Sequence, residues 1–156
     1  MEPVKKIESA EFTNMCMVYD DNRNVLVQKR VKGWCGLAFP GGHLEPYESI
    51  VDSVIREIKE ETGLTIKNPK LCGVKQAFFP DGGRYIVYLY KSNEFEGELS
   101  SNDEGKNFWI PLEELKQRKS EMSDNFEYML EVFTNDELSE HYHRRYDEST
   151  VKDIVK

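Results

Sequence analysis

Long apolar runs are missing from this sequence, which nowhere reaches the roughly 20 consecutive apolar residues of a membrane-spanning helix. Residues 1–6 also lack the apolar run of a secretory signal peptide. We therefore expect a protein without a membrane partner and with a cytoplasmic location.

Cysteine is scarce, with three residues in the chain. Cys16, Cys35 and Cys72 are odd in number and form neither a C-x-x-C pair nor a zinc-type spacing with histidine. Their neighbours in the sequence are apolar. We predict reduced thiols in the core rather than zinc ligands or catalytic nucleophiles.

An excess of positive charge is also missing, because 21 Lys and Arg face 29 Asp and Glu and the formal net charge is −8. Nucleic-acid binders present basic surface to neutralise phosphates. We expect no nucleic-acid partner, although a small anionic substrate can still bind through local Lys and Arg together with a metal ion.

The length of 156 residues fits one domain. We predict a single domain over residues 1–156 with a polar carboxyl-terminal tail from about 134 to 156. His141 and His143 in that tail fit a solvated terminus better than a metal pair.

What the sequence does contain is a strong helical pattern between residues 42 and 64. Apolar residues recur at i, i+3, i+4 and i+7, which is the spacing of a buried stripe: Val51, Val54, Ile55 and Ile58. Pro46 is tolerated in a first helical turn, and Gly63 suits the left-handed residue after a helix end. The predicted helix runs from about Tyr47 to Thr62, with Glu48 near its positive end.

A second face of this helix carries three acids. Glu57, Glu60 and Glu61 stand at i, i+3 and i+4, roughly 120° from the apolar stripe. Such like-charge pairs each cost a few tenths of a kcal/mol, and Arg56 offsets only part of that cost. Mg²⁺ takes oxygen ligands of this kind. The alternative is an acidic face exposed to solvent.

From Gly42 to Leu64 the chain matches G-x5-E-x7-R-E-U-x-E-E-x-G-U, where U is bulky and apolar, at every specified position. This pattern resembles the Nudix box, which marks hydrolases of nucleoside diphosphates linked to another moiety. The preceding Phe39-Pro40-Gly41-Gly42 is similar to the approach to the box in MutT-like members. The resemblance implies an α/β fold, namely an α/β/α sandwich with a mixed β-sheet.

The resemblance also implies a metal site. Glu57 and Glu61 would bind Mg²⁺, with Mn²⁺ as the alternative ion, together with the backbone carbonyl of Gly42, while Glu60 ligates the ion or orients water. Glu104 lies five residues before Trp109, as does an acid of many family members that completes the metal site or serves as base. A solvated loop acid is the alternative for Glu104.

Other roles follow from the same resemblance. Arg56 would pair with an acid, with Glu48 as the first choice, and hold the loop to the helix, while Gly63 ends the box. The general base varies within the family, so Glu57, Glu60 and Glu104 all stay candidates, and we favour Glu57.

Substrate contacts are predicted from four residues. Arg30 ends a predicted strand and corresponds to a phosphate-binding residue of the MutT-like branch, although a solvated strand-end charge is the alternative. Trp34 could stack on a base or pack in the core. Asp124 and Asn125 could read a purine edge, as an acidic pair does in oxidised-purine triphosphatases. Alternatively, Ser123 or Asp124 caps the last helix.

The remaining pattern predicts mostly strands. Residues 15–19 and 25–28 flank a polar turn and predict a hairpin. Residues 71–79 and 84–90 predict a second hairpin around residues 80–83. The last helix has a buried stripe of Phe126, Met129, Leu130 and Phe133.

Together these features predict a Mg²⁺-dependent pyrophosphohydrolase that cleaves a nucleoside triphosphate to monophosphate and pyrophosphate, with an oxidised purine nucleotide such as 8-oxo-dGTP as one candidate substrate. A nucleotide-sugar or dinucleoside-polyphosphate pyrophosphatase is the alternative enzyme. A nucleotide-sensing module without turnover is the alternative outside the enzymes. The oligomeric state stays open.

Overall fold

The computed structural model describes all residues, 1–156. Three α-helices are present: α1 (Ile50–Thr62), α2 (Leu112–Lys116) and α3 (Phe126–Thr134). A short 3₁₀ turn spans Lys119–Glu121. The strands are β1 (Ala10–Val18), β2 (Asn24–Arg30), β3 (Gly36–Ala38), β4 (Gly41–His43), β5 (Thr65–Lys67), β6 (Lys70–Phe78), β7 (Arg84–Ser92), β8 (Glu94–Glu96), β9 (Gly105–Pro111), β10 (Glu140–Arg145) and β11 (Val151–Val155).

The largest sheet has six strands in the order β11-β10-β6-β7-β1-β4. The pairs β1–β7 and β6–β10 are parallel, whereas β1–β4, β6–β7 and β10–β11 are antiparallel. A three-stranded sheet, β3-β2-β9, and a two-stranded sheet, β5-β8, complete the fold. This arrangement confirms the predicted α/β class with a mixed sheet.

Helices cover both faces of the six-stranded sheet. Because side chains of a strand alternate between faces, Cys16 and Val18 of β1 pack with Val54 and Ile58 of α1. Met17 points the other way, into the larger core with the apolar stripe of α3. The layers therefore follow the expected α/β/α order, and α1 is fixed against β1, the strand that pairs with β4.

The hairpin predicted between β6 and β7 is confirmed, with its turn closed by a hydrogen bond from the Phe79 N–H to the Gly83 carbonyl (3.2 Å). The hairpin predicted between β1 and β2 is wrong. The Asp20 carboxylate does accept hydrogen bonds from the backbone of Asn22 and Asn24 and forms a tight turn. Beyond a single bridge at Tyr19 the two strands diverge, and β2 pairs with β3 and β9 instead.

The prediction of a solvated terminus is wrong for part of the segment from 134 to 156. Strands β10 and β11 form a hairpin that extends the six-stranded sheet. His141 is fully buried, and Asp153 accepts hydrogen bonds from His141 Nε2 (2.8 Å) and His143 Nδ1 (2.7 Å). Asp153 pairs with both histidines, although His141 Nδ1 has no partner, so polar composition alone gave the wrong prediction of a solvated terminus.

The cysteines are all free, as predicted. Cys16 is buried and Cys72 half-buried, but Cys35 is exposed, so the prediction of a core position is wrong for Cys35. It lies in the loop before β3, where Gly33 and Gly36 adopt positive φ and turn the chain outward. None of the helices is long and apolar enough to cross a membrane.

Candidate active site

Helix α1 begins later than predicted, at Ile50 rather than Tyr47. Ser49 is the N-cap, and its hydroxyl accepts a hydrogen bond from the Asp52 N–H at 3.0 Å. Tyr47 has a left-handed φ of 65°, which no helical turn permits. Pro46 and Glu48 consequently belong to the loop before the helix. The predicted end is confirmed, because Gly63 has φ 82° and donates its N–H to the Lys59 carbonyl.

The predicted apolar stripe is largely confirmed. Val54 and Ile58 are fully buried and Ile55 is half-buried. Val51 is 40% exposed, so its predicted burial is wrong. The burial of the stripe turns the acids of α1 toward β2, β4 and the loop before β9.

Arg56 ties the loop to the helix. Its Nε and one terminal nitrogen donate to the two Glu48 carboxylate oxygens at 2.7 and 2.9 Å, which confirms the predicted pairing. The same side chain donates to Glu57 (2.9 Å), to Glu60 (3.1 Å) and to the carbonyl of His43 (2.9 Å). A planar guanidinium provides five donors in a fixed geometry. These contacts fix the Glu57 carboxylate and the end of β4 relative to each other.

The Glu57 carboxylate packs directly on the α-carbon of Gly42, where a β-carbon would collide with it. Glycine is therefore required at this position for Glu57 to keep its place. The Gly42 N–H donates to the Asn14 side-chain oxygen (3.3 Å), and the Asn14 amide donates to the Ser53 hydroxyl (2.9 Å). Strand β4 is thus aligned with α1 through β1.

Glu61 is buried and held by amides from other elements. Gln28 of β2 and Asn102 donate to its carboxylate at 3.0 and 3.2 Å, and Asn107 donates to its backbone carbonyl at 2.7 Å. Neutral donors orient the carboxylate without cancelling its charge. Its free lone pairs remain available to a cation.

Glu104 lies against Glu61. Strand pairing places the end of β2 beside this loop, and the Val31 N–H donates to the Glu104 carbonyl at 3.0 Å. Hydrogen bonding to the Glu61 carboxylate, repulsion from its charge and burial together raise the pKa of Glu104. The positive charges of Arg30 and Lys32 counteract part of this rise. Two carboxylates in this position favour either a shared proton or a cation.

The pKa of Glu57 is raised as well. Burial is the main cause, and the Arg56 guanidinium offsets part of it, while the charges of Glu60 and Glu61 add to the rise. A carboxyl group that is hard to ionise in the free protein gains most from a divalent cation. The raised pKa values of Glu57 and Glu104 therefore support a cation site beside these two carboxylates.

These side chains surround one open cavity of about 330 Å³. Seven of the residues predicted for the site line it: Arg30, Trp34, Gly42, Glu57, Glu61, Glu104 and Asp124. Arg56, Glu60 and Asn125 lie outside its wall. The oxygen-rich end, with Gly42 and three carboxylates, has the donor set that Mg²⁺ and Mn²⁺ prefer. The opposite end contains aromatic and apolar side chains.

The residues just before α3, for which substrate binding or helix capping was predicted, differ in where they lie. Asn125 is the N-cap of α3 with φ 69° and forms no side-chain capping bond, so the prediction of Ser123 or Asp124 as the cap is wrong. The Ser123 hydroxyl instead donates to the Trp34 carbonyl (3.3 Å), which ties the two cavity loops together. Asp124 is exposed at the cavity rim. Trp34 is 55% exposed, so it is not a core residue.

Several residues around the cavity were not predicted from the sequence. Asn14 and Gln28 are buried polar residues within strands, and Lys75 is a buried charge in the middle of β6. Each lies in a run of strand-forming residues. The only sequence signal for a role in the site was a polar residue at an inward-facing strand position. Their partners are distant in sequence, so periodicity could not assign them to the site.

Comparison with known proteins gives a consistent set of relatives. The family model described as NUDIX domain matches residues 13–132. "Uncharacterized Nudix hydrolase YvcI" of Bacillus subtilis is 35% identical over 106 residues, covering 65% of this chain and 66% of the relative. An "ADP-ribose pyrophosphatase" of Methanocaldococcus jannaschii is 35% identical over 94 residues, covering 58% of this chain and 54% of the relative. The chain thus spans about half to two thirds of these relatives.

Among solved structures, a MutT protein from Bacillus halodurans superimposes with a TM-score of 0.77 at 27% identity. The superposition covers 94% of this chain and 97% of the other. A MutT Nudix hydrolase from Burkholderia pseudomallei, at 22% identity and a TM-score of 0.65, shares the fold.

Proposed function

The chain belongs to the Nudix hydrolase family, and on that basis we propose that it is a Mg²⁺-dependent pyrophosphohydrolase that cleaves a nucleoside triphosphate to monophosphate and pyrophosphate. The observation that carries this proposal is that Glu57, Glu61 and Glu104 line one cavity together with the aromatic pair Trp34 and Tyr85. Such a cavity suits a molecule with a charged diphosphate at one end and a planar base at the other.

Members of the family generally use divalent metal ions, and the residues present fit one. Glu57, Glu61, Glu104 and the Gly42 carbonyl would hold Mg²⁺, or Mn²⁺ in its place. When bound, the ion neutralises diphosphate oxygens and lowers the pKa of a coordinated water. Arg30, at the end of β2 and on the same cavity wall, would add a positive charge for the phosphates.

The hydrolysis needs a water, a base and a leaving group. The water oxygen forms a bond to one phosphorus of the α–β anhydride, and the bond from that phosphorus to the bridging oxygen breaks, which yields the monophosphate and pyrophosphate. The water gives up one proton, which we assign to the Glu57 carboxylate, because Arg56 holds this group at the acidic end of the cavity. Arg56 holds Glu57 in place and links it to Glu60, which we assign to orienting this network.

At the other end, Trp34 would stack on the base, and Asp124 at the rim would accept hydrogen bonds from its edge. Asn125 turns the chain into α3 and sets the position of Asp124. This arrangement supports a purine nucleotide, with 8-oxo-dGTP among the candidates. The presence of every acid of the box favours turnover over ligand sensing.

A second candidate is a pyrophosphatase for ADP-ribose or another nucleoside diphosphate linked to a sugar or a second nucleoside. The 35% identity to a protein named ADP-ribose pyrophosphatase favours it. Both candidates use the same acidic end of the cavity and differ in what lies beyond the diphosphate.

A substrate panel with Mg²⁺ separates these functions. It should contain the common and oxidised nucleoside triphosphates, ADP-ribose, a nucleotide sugar and a dinucleoside polyphosphate, with products identified by chromatography. We expect a nucleoside triphosphate to give monophosphate and pyrophosphate, and Glu57→Gln to lower turnover by orders of magnitude. Glu137→Gln, at an exposed residue far from the cavity wall, is the matched control. Inertness toward every triphosphate would contradict the proposal.

A further inference from the structure

Lys75 is a buried cation without a partner. It lies in the middle of β6 and is 5% exposed, and its ammonium group, which opens onto the cavity, makes no hydrogen bond and no ion pair with the protein. Lysine is almost never this buried unless it is paired. Burial lowers its pKa, and the charge of Asp153 counteracts only part of that effect. The three N–H donors of the ammonium therefore have capacity for an acceptor that the protein itself does not supply.

The ammonium lies in the aromatic end of the cavity. Its Nζ is 5.8 Å from the ring centroid of Trp34 and 5.9 Å from that of Tyr85. Both rings line the cavity together with Lys75. Ring faces attract a cation at this distance but accept no conventional hydrogen bond. They hold the amine in position and leave its donors unsatisfied.

Sheet register fixes the separation between the backbone of Lys75 and the backbone at the acidic end. Lys75 is opposite Val87, Val87 is opposite Thr13, and Thr13 is opposite His43, the neighbour of Gly42. Three strand spacings amount to about 14 Å. In a nucleotide whose diphosphate lies at Gly42, the sugar therefore lies between the diphosphate and the part of the molecule near Lys75. The group that meets Lys75 is the base.

The chemistry at this end selects among bases. The Lys75 ammonium can only donate hydrogen bonds. Guanine and its 6-oxo relatives present an acceptor at O6, whereas adenine presents an amino donor at the same position. An adenine amino group facing an ammonium would leave two donors without an acceptor.

We propose that Lys75 is a specificity-determining residue that donates to the 6-oxo group of a purine, so that the cavity selects 6-oxopurine nucleotides over 6-aminopurine nucleotides. This inference rests on the proposed function in one respect, that the cavity holds a nucleotide with its phosphates at the acidic end. A charged donor on a carbonyl acceptor discriminates by about 10- to 100-fold.

Equilibrium binding tests this selection without turnover. Isothermal titration with inosine monophosphate and adenosine monophosphate, in Mg²⁺, compares two ligands that differ at the 6-position and the adjoining ring nitrogen. We expect the wild-type protein to bind the inosine nucleotide about 10- to 100-fold more tightly. Lys75→Met keeps the aliphatic stem and removes the donors, and it should reduce the preference to within a few-fold by weakening the inosine nucleotide.

Lys70→Met is the matched control, since Lys70 is an exposed residue of the same strand. It should keep the wild-type preference. Lys75→Met replaces an unpaired buried charge by an apolar side chain, so a thermal melt should show a folded protein at least as stable as the wild type.

Equal affinity of the wild-type protein for the two nucleotides, or an undiminished preference in Lys75→Met, would overturn the inference. If the protein hydrolyses triphosphates but shows no such preference, the role of Lys75 is contradicted and the proposed function is not. A Lys75-dependent preference in a protein that hydrolyses no triphosphate supports the role of Lys75 and contradicts the proposed function.

Discussion

The carboxylate of Glu57 rests against the α-carbon of Gly42, so the helix and the strand before it meet where a side chain on the strand has no room. Arg56 reinforces this meeting point by donating both to Glu57 and to the carbonyl of the residue after Gly42. The position of the carboxylate is therefore a property of two elements and not of the helix alone.

Gly42→Ala should abolish turnover with little loss of stability. The new methyl group meets the end of a flexible side chain, so Glu57 moves while the backbone stays. We expect activity to fall by about 100-fold or more, as for other displaced catalytic groups. Gly82→Ala is the control, because Gly82 has φ 99° and open space around it. That change should lower the melting temperature and leave turnover intact, and full activity in Gly42→Ala would contradict the packing.

Arg56→Lys should impair both folding and activity. Lysine cannot reproduce the two parallel bonds to Glu48 or the contact with Glu57. We expect a loss of about 1–3 kcal/mol in the free energy of unfolding, measured by urea denaturation, because hydrogen bonds between charged groups are lost. Arg23→Lys changes only the donor of a single exposed ion pair to Glu113 and should stay close to the wild type. Equal stability of the two variants would contradict the role given to Arg56.

The raised pKa of Glu57 predicts a pH effect in the metal-free protein. The folded state holds the proton more tightly than the unfolded state, whose pKa is near the ordinary 4.5. The stability from this group is therefore complete below about pH 4.5 and is lost as pH rises through the raised folded pKa. In EDTA, the free energy of unfolding of the wild type should fall relative to that of Glu57→Gln as pH increases.

Urea denaturation of both proteins between pH 4 and 7.5 measures the difference between their free energies of unfolding. Taking this difference cancels the contributions of the other titrating groups. Mg²⁺ should reduce the deficit of the wild type at neutral pH, because it favours the ionised carboxylate. A difference that does not change with pH would show that Glu57 titrates normally.

The helix α1 and its acids could be predicted from the sequence because their spacing encodes one face of a helix. The companions of Glu61 could not, since Gln28, Asn102 and Asn107 come from other parts of the chain and become neighbours only when β2 pairs with β9. The start of α1 was misplaced because Pro46 suits both a first turn and a loop. The left-handed Tyr47 gives no sequence signal.

The hairpin of β10 and β11 makes a separate prediction about stability. Burial alone would raise the pKa of Asp153, but hydrogen bonds from His141 and His143 hold it below its ordinary value. Asp153→Asn should leave an imidazole unsatisfied and cost about 1–3 kcal/mol. Asp136→Asn, at an exposed residue that forms a weak contact with Lys91, should cost almost nothing in the same denaturation experiment. A wild-type unfolding curve for Asp153→Asn would contradict the network.

The most direct measurement is calorimetric titration of the protein with Mn²⁺ in the presence of a non-hydrolysable nucleoside triphosphate analogue. If Glu57, Glu61 and Glu104 together hold a divalent ion, the wild type and Glu137→Gln should take it up, and Gly42→Ala and Glu57→Gln should bind it at least tenfold more weakly (about 1.4 kcal/mol). Absence of uptake by the wild type, or equal uptake by all four proteins, would contradict the account.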